Sequence, residues 1–292
     1  MGLIKRYQGR GSYDLFSNYN YYLPGVGGMF LLFFLFLLGA LLGNLVVMLF
    51  QFGFSAELAQ QYGTVISYPV MFIPPMLYAS VQSRRNEFIP WGQEEADSII
   101  PLDRNNFGRL GGWKMGLIVS IATMATAFIV EPVSAMLPEI PEVLKQALEQ
   151  LTEGPLWISL ISVSIFAPFF EEWLCRGLVL RGLLQKMHPS GAIMISAAFF
   201  AVLHLNPWQA IPAFVLGLLF GYVYYKTGSL KLTMLMHCVN NTMAVVLSRI
   251  PSLSDAETLM EVMSPWAYVC VYLACLLFIA AALVTIRSVR EN

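Results

Sequence analysis

The sequence predicts an all-α fold, a polytopic membrane helix bundle with about eight transmembrane helices and both ends in the cytoplasm. Of the 292 residues, 57% are apolar and only 12% are charged, whereas about 25% are charged in an ordinary soluble domain. The mean hydropathy is +0.65. So few charges could not cover the surface of a soluble protein of this length, and the lipid bilayer is therefore the expected partner. The net charge of −1 excludes a strongly basic protein that binds nucleic acid.

Eight stretches of the chain are apolar enough to cross a membrane, which takes about 20 residues of helix. The first, 29–50, consists almost wholly of Leu, Phe and Val. The second contains three prolines, so we expect a kinked helix that packs among its neighbours. The second to eighth stretches cover residues 65–82, 113–130, 156–178, 190–205, 208–225, 230–247 and 267–286.

The basic residues predict the orientation of these spans. With the N-terminus inside, 15 of the 17 lysines and arginines fall on inner segments, and only Lys145 and Arg249 fall outside. This partition follows the positive-inside rule, and an error of one span would destroy it. The outer connection after the third span is acidic, and its apolar residues recur at helical spacing, which predicts a short amphipathic helix. The inner residues are Lys5, Arg6, Arg10, Arg84, Arg85, Arg104, Arg109, Lys114, Arg176, Arg181, Lys186, Lys226, Lys231, Arg287 and Arg290.

The chain divides into a cytoplasmic N-terminal segment, 1–27, and a single transmembrane helical domain, 28–292. We find no internal repeat or linker that would separate a second domain. The first 27 residues show no signal peptide. We therefore expect an integral multi-pass protein of a bacterial inner membrane, although an endoplasmic reticulum membrane would suit this N-terminus equally.

A few polar residues lie inside the predicted spans, where an ionisable side chain is costly and usually functional. Glu172 and Arg176 are four residues apart and can pair on one helix face, whereas Glu171 points about 100° away. His237 and Asn241 also share a face. The whole set comprises Glu171, Glu172 and Arg176 in the fourth span, His204 in the fifth, and His237, Asn240 and Asn241 in the seventh.

These polar residues have structural as well as functional interpretations. The Glu172–Arg176 pair is expected to be structural even in an enzyme, and the histidines and asparagines could simply join helices. A transporter could use Glu171 and the histidines as a proton relay, but such proteins usually show internal repeats. A hydrolase could use Glu171 to activate water, or two histidines and a glutamate could hold zinc. The spacing favours the hydrolase.

Three motifs in this order on successive spans resemble the CPBP family of intramembrane proteases. They are EExxxR at 171–176, FxxxH at 200–204 and HxxxN at 237–241. The family includes CAAX prenyl proteases and the bacterial Abi and lysostaphin-resistance-like proteins. The resemblance covers a catalytic core of about 155–248 and implies an intramembrane endopeptidase that acts on a peptide or membrane-protein substrate. A non-catalytic scaffold or immunity-type protein on the same fold is the alternative, and a proton-coupled transporter ranks last.

The resemblance also implies a role for each of the matching residues. Glu171 would activate the attacking water, and His204 would hold or polarise that water. His237 and Asn241 would stabilise the oxyanion, while Arg176 would pair with Glu172 and orient the site.

Metal dependence stays open at this point. The family is named for metalloproteases, but a metal-free mechanism driven by glutamate has also been proposed for it. The cofactor would be Zn²⁺ or none. The absence of HExxH excludes an ordinary zincin site, and any metal would be held by Glu171, His204 and His237.

The expected depth of the site contains one difficulty. His237 and Glu171 fall toward the inner ends of their spans, which predicts a site in the inner half of the membrane that is reached from the cytoplasm. His204, counted from residue 190, falls on the order of 20 Å into its span. Either the fifth helix begins later than expected, or the turn after His204 dips into the membrane. The oligomeric state is not predicted.

Overall fold

The computed structural model describes residues 17–87, 101–104, 106–250 and 258–289, and all of its regular elements are helices. The predicted all-α class is therefore confirmed. Several expectations lie outside the described residues, namely most of the N-terminal segment 1–27, with Lys5, Arg6 and Arg10, and also Arg290.

The first two helices, α1 (Val26–Gly53) and α2 (Ala56–Glu87), form an antiparallel pair that packs along much of its length. Their backbones approach closely at Gly39 of α1, where an added Cβ would lie 1.9 Å from the carbonyl oxygen of Met71. Small residues permit such contact between membrane helices. The expected Pro69, Pro74 and Pro75 all lie inside α2.

The next elements connect this pair to the centre of the bundle. Helix α3 (Gly111–Ser134) is followed by the short helix α4 (Glu142–Glu153), which corresponds to the predicted amphipathic helix. A continuous helical rod, α5 (Leu156–Leu184), follows it. Two stretches of α5 have π-helical hydrogen bonding, Leu160–Phe166 and Trp173–Leu180.

The remaining helices surround α5 and complete the bundle. Helices α6 (Pro189–Leu203) and α7 (Pro207–Thr227) are joined by a three-residue turn, and α8 (Leu230–Leu247) follows directly. The short α9 (Leu259–Val262) precedes the last helix, α10 (Pro265–Arg287).

Seven of these helices are long and apolar enough to cross a membrane among the residues that the structure describes. They are α1, α2, α3, α5, α7, α8 and α10. The expected span 190–205 is the exception, because α6 has 15 residues and a length of about 22 Å against a hydrocarbon core of ~30 Å. The predicted count of eight is thus corrected to seven long helices and one short one. The cytoplasmic position of both ends stays a prediction.

The core of the bundle is formed around α5. In its most apolar window 61% of the residues are buried, against 22% for α1 and 11% for α10. Large apolar side chains such as Phe34, Leu41 and Leu277 lie exposed on the outer helices. In a bilayer these side chains would contact lipid, so α5 is the interior helix and α1 and α10 are peripheral.

The alternating helix directions define two faces of the bundle. The basic face contains the ends of α2, α5, α7 and α10 and the beginnings of α3, α6 and α8. The opposite face, which contains α4 and the α6–α7 turn, is called the acidic face. The described cations at the basic face are Arg84, Arg85, Arg104, Arg109, Lys114, Arg181, Lys186, Lys226, Lys231 and Arg287. Arg176, counted as an inner charge from the sequence, is instead fully buried between helices.

Candidate active site

The carboxylates of the site are placed by an irregular part of α5. The backbone N–H of Ala167 bonds to the carbonyl of Ser162, five residues earlier. In the same register the carbonyl of Val163 would be paired with residue 168, which is a proline without an N–H. The Asn241 side chain fills this position, since its Nδ2 donates to the Val163 oxygen at 2.8 Å. Pro168 thus creates the acceptor that fastens α8 to α5 beside Glu171.

Glu172 and Arg176 form the ion pair that their spacing predicts. Arg176 donates to the Oε1 atom of Glu172 at 2.8 Å, and both side chains are completely buried. Arg176 also donates to the backbone oxygen of Gly217 at 3.1 Å, and its guanidinium lies 4.5 Å from the ring centroid of Phe200. A buried charge needs such compensation from neighbouring groups, and here three helices supply it.

His237 lies between the two glutamates. Its Nδ1 atom is 3.1 Å from Oε1 of Glu172, and its Nε2 atom is 4.0 Å from Oε2 of Glu171. Because a carboxylate only accepts hydrogen bonds, the proton belongs on Nδ1, where Glu172 accepts it. This bond orients the ring so that Nε2 faces Glu171. A chain of contacts therefore runs from Arg176 through Glu172 and His237 to Glu171.

Glu171 has a partner that the sequence did not reveal. The hydroxyl of Tyr68 in α2 donates a short hydrogen bond to Oε1 of Glu171. The other oxygen, Oε2, is buried and has no hydrogen-bond partner in the described part of the chain. Tyr68 lies about a hundred residues before Glu171, and nothing in its sequence context distinguishes it from the other tyrosines. Only the packing of α2 against α5 brings the two together.

His204 lies at the end of α6, and its Nδ1 atom is 3.0 Å from the carbonyl oxygen of Phe200. The chain then turns through Leu205, whose φ of 55° is positive. Asn206 caps the beginning of α7 by accepting a hydrogen bond from the backbone of Gln209 at 2.9 Å. The turn keeps His204 at the end of a short helix, whose first residue is Pro189. The dip of this connection into the membrane stays a prediction.

A cavity of about 790 Å³ connects these groups. Glu171, His204, His237 and Asn241 all line it, as does Tyr68. Glu172 and Arg176 do not line it, although the sequence places them in the same catalytic set. They lie behind His237, so the structure separates the predicted residues into four that face the cavity and two that support them.

The proposed metal ligands are not assembled as a ligand group. Among the described residues, no three His, Cys, Asp or Glu side chains lie close enough to hold a metal ion. His237 and Glu171 are neighbours, but His204 forms no ion pair with either glutamate within the described chain. The donor set therefore does not fit zinc in this arrangement.

The position of the cavity departs from the expected route to the site. The sequence places the site in the inner half of the membrane with access from the cytoplasm. The cavity instead extends from Glu171 toward Ser134 and the α4 residues Lys145, Leu148 and Glu149, which belong to the acidic face. The positive-inside rule places that face outside.

The fold and the site define a class of protein, an integral multi-pass membrane protein with a cavity between its helices that contains a few polar side chains. The model of the family described as type II CAAX prenyl endopeptidase Rce1-like matches residues 153–243. This match confirms the resemblance to the CPBP family that the three motifs indicated, and it includes all six predicted site residues. No curated protein and no solved structure matches the chain.

At the level of the family, the match implies a CAAX-type intramembrane peptidase with a peptide or protein substrate in a membrane. Tyr68 and the lining residues of α3 and α4 lie outside the matched segment.

Proposed function

We propose that the protein is an intramembrane endopeptidase in which Glu171 activates the water that attacks a peptide bond. The observation that supports it best is the Oε2 atom of Glu171. This atom is buried, lacks a hydrogen-bond partner in the described chain and lies 4.0 Å from Nε2 of His237 at a cavity wall. A carboxylate oxygen held in this way suits a general base.

Oε2 of Glu171 and Nε2 of His237 are spaced so that a single water molecule could hydrogen-bond both of them. Glu171 would take a proton from this water while the oxygen of the water attacks the carbonyl carbon of the peptide. The C=O bond then opens to an oxyanion. Glu171 returns the proton to the amide nitrogen as the C–N bond breaks, which leaves a new carboxyl and a new amino terminus.

His237 is the histidine that the geometry favours as the neighbour of this water. The resemblance assigns that role to His204, but of these two histidines it is His237 that lies 4.0 Å from Glu171. Glu172 holds the proton of His237 on Nδ1 and Arg176 balances the charge of Glu172. We therefore assign Glu172 and Arg176 as positioning residues, which act on the reaction through His237.

Asn241 is the proposed donor to the oxyanion. Its amide nitrogen carries two hydrogens, one of which is used by the carbonyl of Val163. The second can face the cavity, which Asn241 lines. A donor fixed in advance stabilises developing charge strongly because it needs no reorganisation during the reaction. His204, with Nδ1 engaged by Phe200, presents Nε2 as a further polar group at the same cavity.

The site residues carry the proposed steps without a metal ion, and no step is assigned to one, since the donor set does not fit. We place the protein in a bacterial inner membrane, and the low charge content and the seven long apolar helices support the membrane part of this placement. A non-catalytic scaffold on the same fold would need the buried Glu172–Arg176 pair but not the free oxygen of Glu171, and this difference separates the two functions.

The test compares Glu171→Gln with wild type. New protein termini are mapped in membranes of cells that produce each variant. We expect the cleavage rate to fall about 10²- to 10⁴-fold, the range for losing a general base. Glu142→Gln, on the exposed surface of α4, is the control and should cleave normally. Normal cleavage by Glu171→Gln would overturn the proposal. A non-catalytic scaffold would keep its function with this substitution.

A further inference from the structure

We infer that substrates reach Glu171 through the acidic face, which the positive-inside rule places on the side of the membrane away from the cytoplasm. The scissile bond would then belong to a membrane-anchored segment exposed on that side, with neutral or basic rather than acidic residues near the bond. This inference rests on the proposed endopeptidase function for its substrate, but the route itself is a property of the fold.

On α3, α7 and α8, the residues that line the cavity lie away from the basic face. Helix α3 contributes only residues from its last eight, from Ala127 to Ser134. Helix α8 contributes residues from His237, near its middle, to Val245, and Ser248 follows its end. Helix α7, which runs in the opposite direction, contributes residues from Trp208 to Phe220, within its first two thirds. These portions run from the middle of the bundle to the acidic face, whereas the last seven residues of α7 and the first seven of α8, at the basic face, do not line the cavity.

Beyond Glu171, α5 lies wholly inside the bundle. Every residue of α5 from Glu172 to Leu183 is buried, so among the described residues no channel follows this helix toward the basic face. At the basic end a loop covers the bundle, since Leu102 accepts a hydrogen bond from Tyr224 at 2.9 Å and donates one to Asn20 at 3.2 Å. A peptide cannot reach Glu171 from that side without displacing this packing.

The charges at the two faces give the direction relative to the membrane. Ten described cations lie at the basic face, whereas the acidic face has Lys145 and Arg249 together with several glutamates. A bias of this size in short connections places the basic face in the cytoplasm. The cavity then opens on the other side.

The mouth of the cavity indicates what can pass through it. Helix α4 lies beside the mouth, and its loop is fixed by the indole of Trp208, which donates to the carbonyl of Pro138 at 2.7 Å. Glu131, Glu149 and Glu171 line the cavity with a single lysine, Lys145. Like charges at close range repel, so this lining favours neutral and basic segments over acidic ones. The volume of about 790 Å³ lies within the range of ligand sites.

The route can be tested by thiol labelling, which needs no cleavage activity. The background is a full-length variant in which Cys238, Cys270 and Cys275 are changed to alanine, while the buried Cys175 is kept. Single cysteines are introduced as Ala244→Cys in the cavity and as Ser134→Cys and Lys114→Cys at the two ends of α3. A membrane-impermeant maleimide is added to intact cells and to inside-out vesicles, and labelling after denaturation measures the total thiol.

We expect Ser134→Cys and Ala244→Cys to be labelled in intact cells and Lys114→Cys to be labelled in inside-out vesicles. Labelling of Ala244→Cys from the same side as Lys114→Cys would overturn the route. Labelling of Ala244→Cys from neither side, while the two controls react, would also overturn it because the cavity would be closed to water.

The charge preference has its own measurement. The rates at which a cationic and an anionic methanethiosulfonate reagent modify Ala244→Cys are compared, and their ratio is normalised to the ratio for a small thiol in solution. We expect the cationic reagent to react several-fold faster after this correction. An equal or reversed ratio would overturn the preference for neutral and basic segments.

The substrate class is tested by locating the new termini that wild-type protein, but not Glu171→Gln, produces in membranes. They should lie in segments on the side from which Ser134→Cys is labelled. Termini confined to the opposite side would contradict the inferred substrate class. A failure to find any termini would instead count against the endopeptidase function and leave the labelling result unaffected.

Discussion

The two faces of the bundle are built in contrasting ways. At the basic face the connections that follow α5 and α7 are short, and hydrogen bonds tie the described residues of this face together, including those of Arg181 to the carbonyls of Tyr19 and Tyr22 at 2.8 and 2.9 Å. At the acidic face the helices separate around a cavity whose lining includes Glu171, and the Oε2 atom of Glu171 has no hydrogen-bond partner among the described residues. This contrast indicates that residues at the basic face stabilise the fold, whereas polar residues around the cavity can take part in a reaction.

This division of roles has a physical basis. A helix end needs partners for its free N–H and C=O groups, and burying such an end without partners is costly. The loop at 101–104 supplies them at the basic face, where Asp103 accepts from the backbone of Leu230 at 2.8 Å. A reactive carboxylate needs the opposite condition, an oxygen that the protein leaves unsatisfied. The two requirements are met in different parts of the bundle, at the basic face and around the cavity.

The largest effect on stability is expected where the two regions meet, at Arg176. Arg176→Met leaves Glu172 buried without its cation, and breaking a buried ion pair in this way costs about 3–5 kcal/mol. Thermal unfolding in detergent should show a much lower midpoint together with lost cleavage. Arg109→Met, at an exposed position of the basic face, is the control and should change stability by less than about 0.5 kcal/mol. Equal stability of the two variants would contradict the role of Arg176.

A strong effect confined to folding is expected at the basic face for Gly182→Ala. A Cβ atom there would lie 2.2 Å from the carbonyl oxygen of Pro24, so the chain before α1 must move away. Overpacking of this kind costs about 1–3 kcal/mol. Gly27→Ala is the matched control, since its Cβ would meet no atom within 4 Å. The unfolding midpoint should fall for Gly182→Ala alone, and a wild-type midpoint would show that this contact is easily relieved.

For Tyr68→Phe, beside the cavity, we expect an effect on cleavage rather than on folding. This substitution removes the hydrogen bond to Glu171, and hydrogen bonds to charged groups contribute about 1.5–3 kcal/mol. If the bond positions Glu171 for water, kcat should fall roughly tenfold or more while KM changes little. Tyr62→Phe, on the same helix, is the control. A change in KM alone would instead indicate that Tyr68 contacts the substrate.

The smallest effect is expected for Asp103→Ala at the basic face. Asp103 accepts from the first backbone N–H groups of α8 and pairs with Lys231 at 2.9 Å. Loss of a helix cap costs about 1 kcal/mol. Stability should fall by this amount without a change in kcat, and Asp103→Asn, which keeps an acceptor oxygen, should restore much of it. A large fall in kcat would contradict the claim that Asp103 contributes to stability and not to catalysis.

Much of the fold could be predicted because lipid imposes simple rules on sequence. Seven of eight expected spans are present as long helices, since apolar length alone specifies them. The fifth span was overestimated. Its apolar sequence continues through His204 and Leu205, but the positive φ of Leu205 and the Asn206 cap end the helix at Leu203. Hydropathy does not register such a turn.

The site could be predicted in part for a similar reason. Glu171, His237 and Asn241 are conspicuous because polar residues are rare in membrane spans, and the structure brings all three to one cavity. Tyr68 could not be found in this way, because tyrosine is common near membranes and its partner lies on another helix. The separation of Glu172 and Arg176 from the cavity was also hidden, since i,i+4 spacing shows that two residues can pair but not which space they face.

The sequence by itself determined that this is a helical membrane protein, which residues are its costly polar groups, and which loops carry its positive charge. These follow from the energy of placing each residue in lipid or water, a property of the residue and its neighbours in the chain. Only the tertiary structure decided that Tyr68 holds Glu171, that His237 lies between two glutamates, and that the cavity extends to α4 at the acidic face. Those features depend on which helices pack together and how far apart they lie, because side-chain contacts between distant segments leave no periodic signal in the sequence.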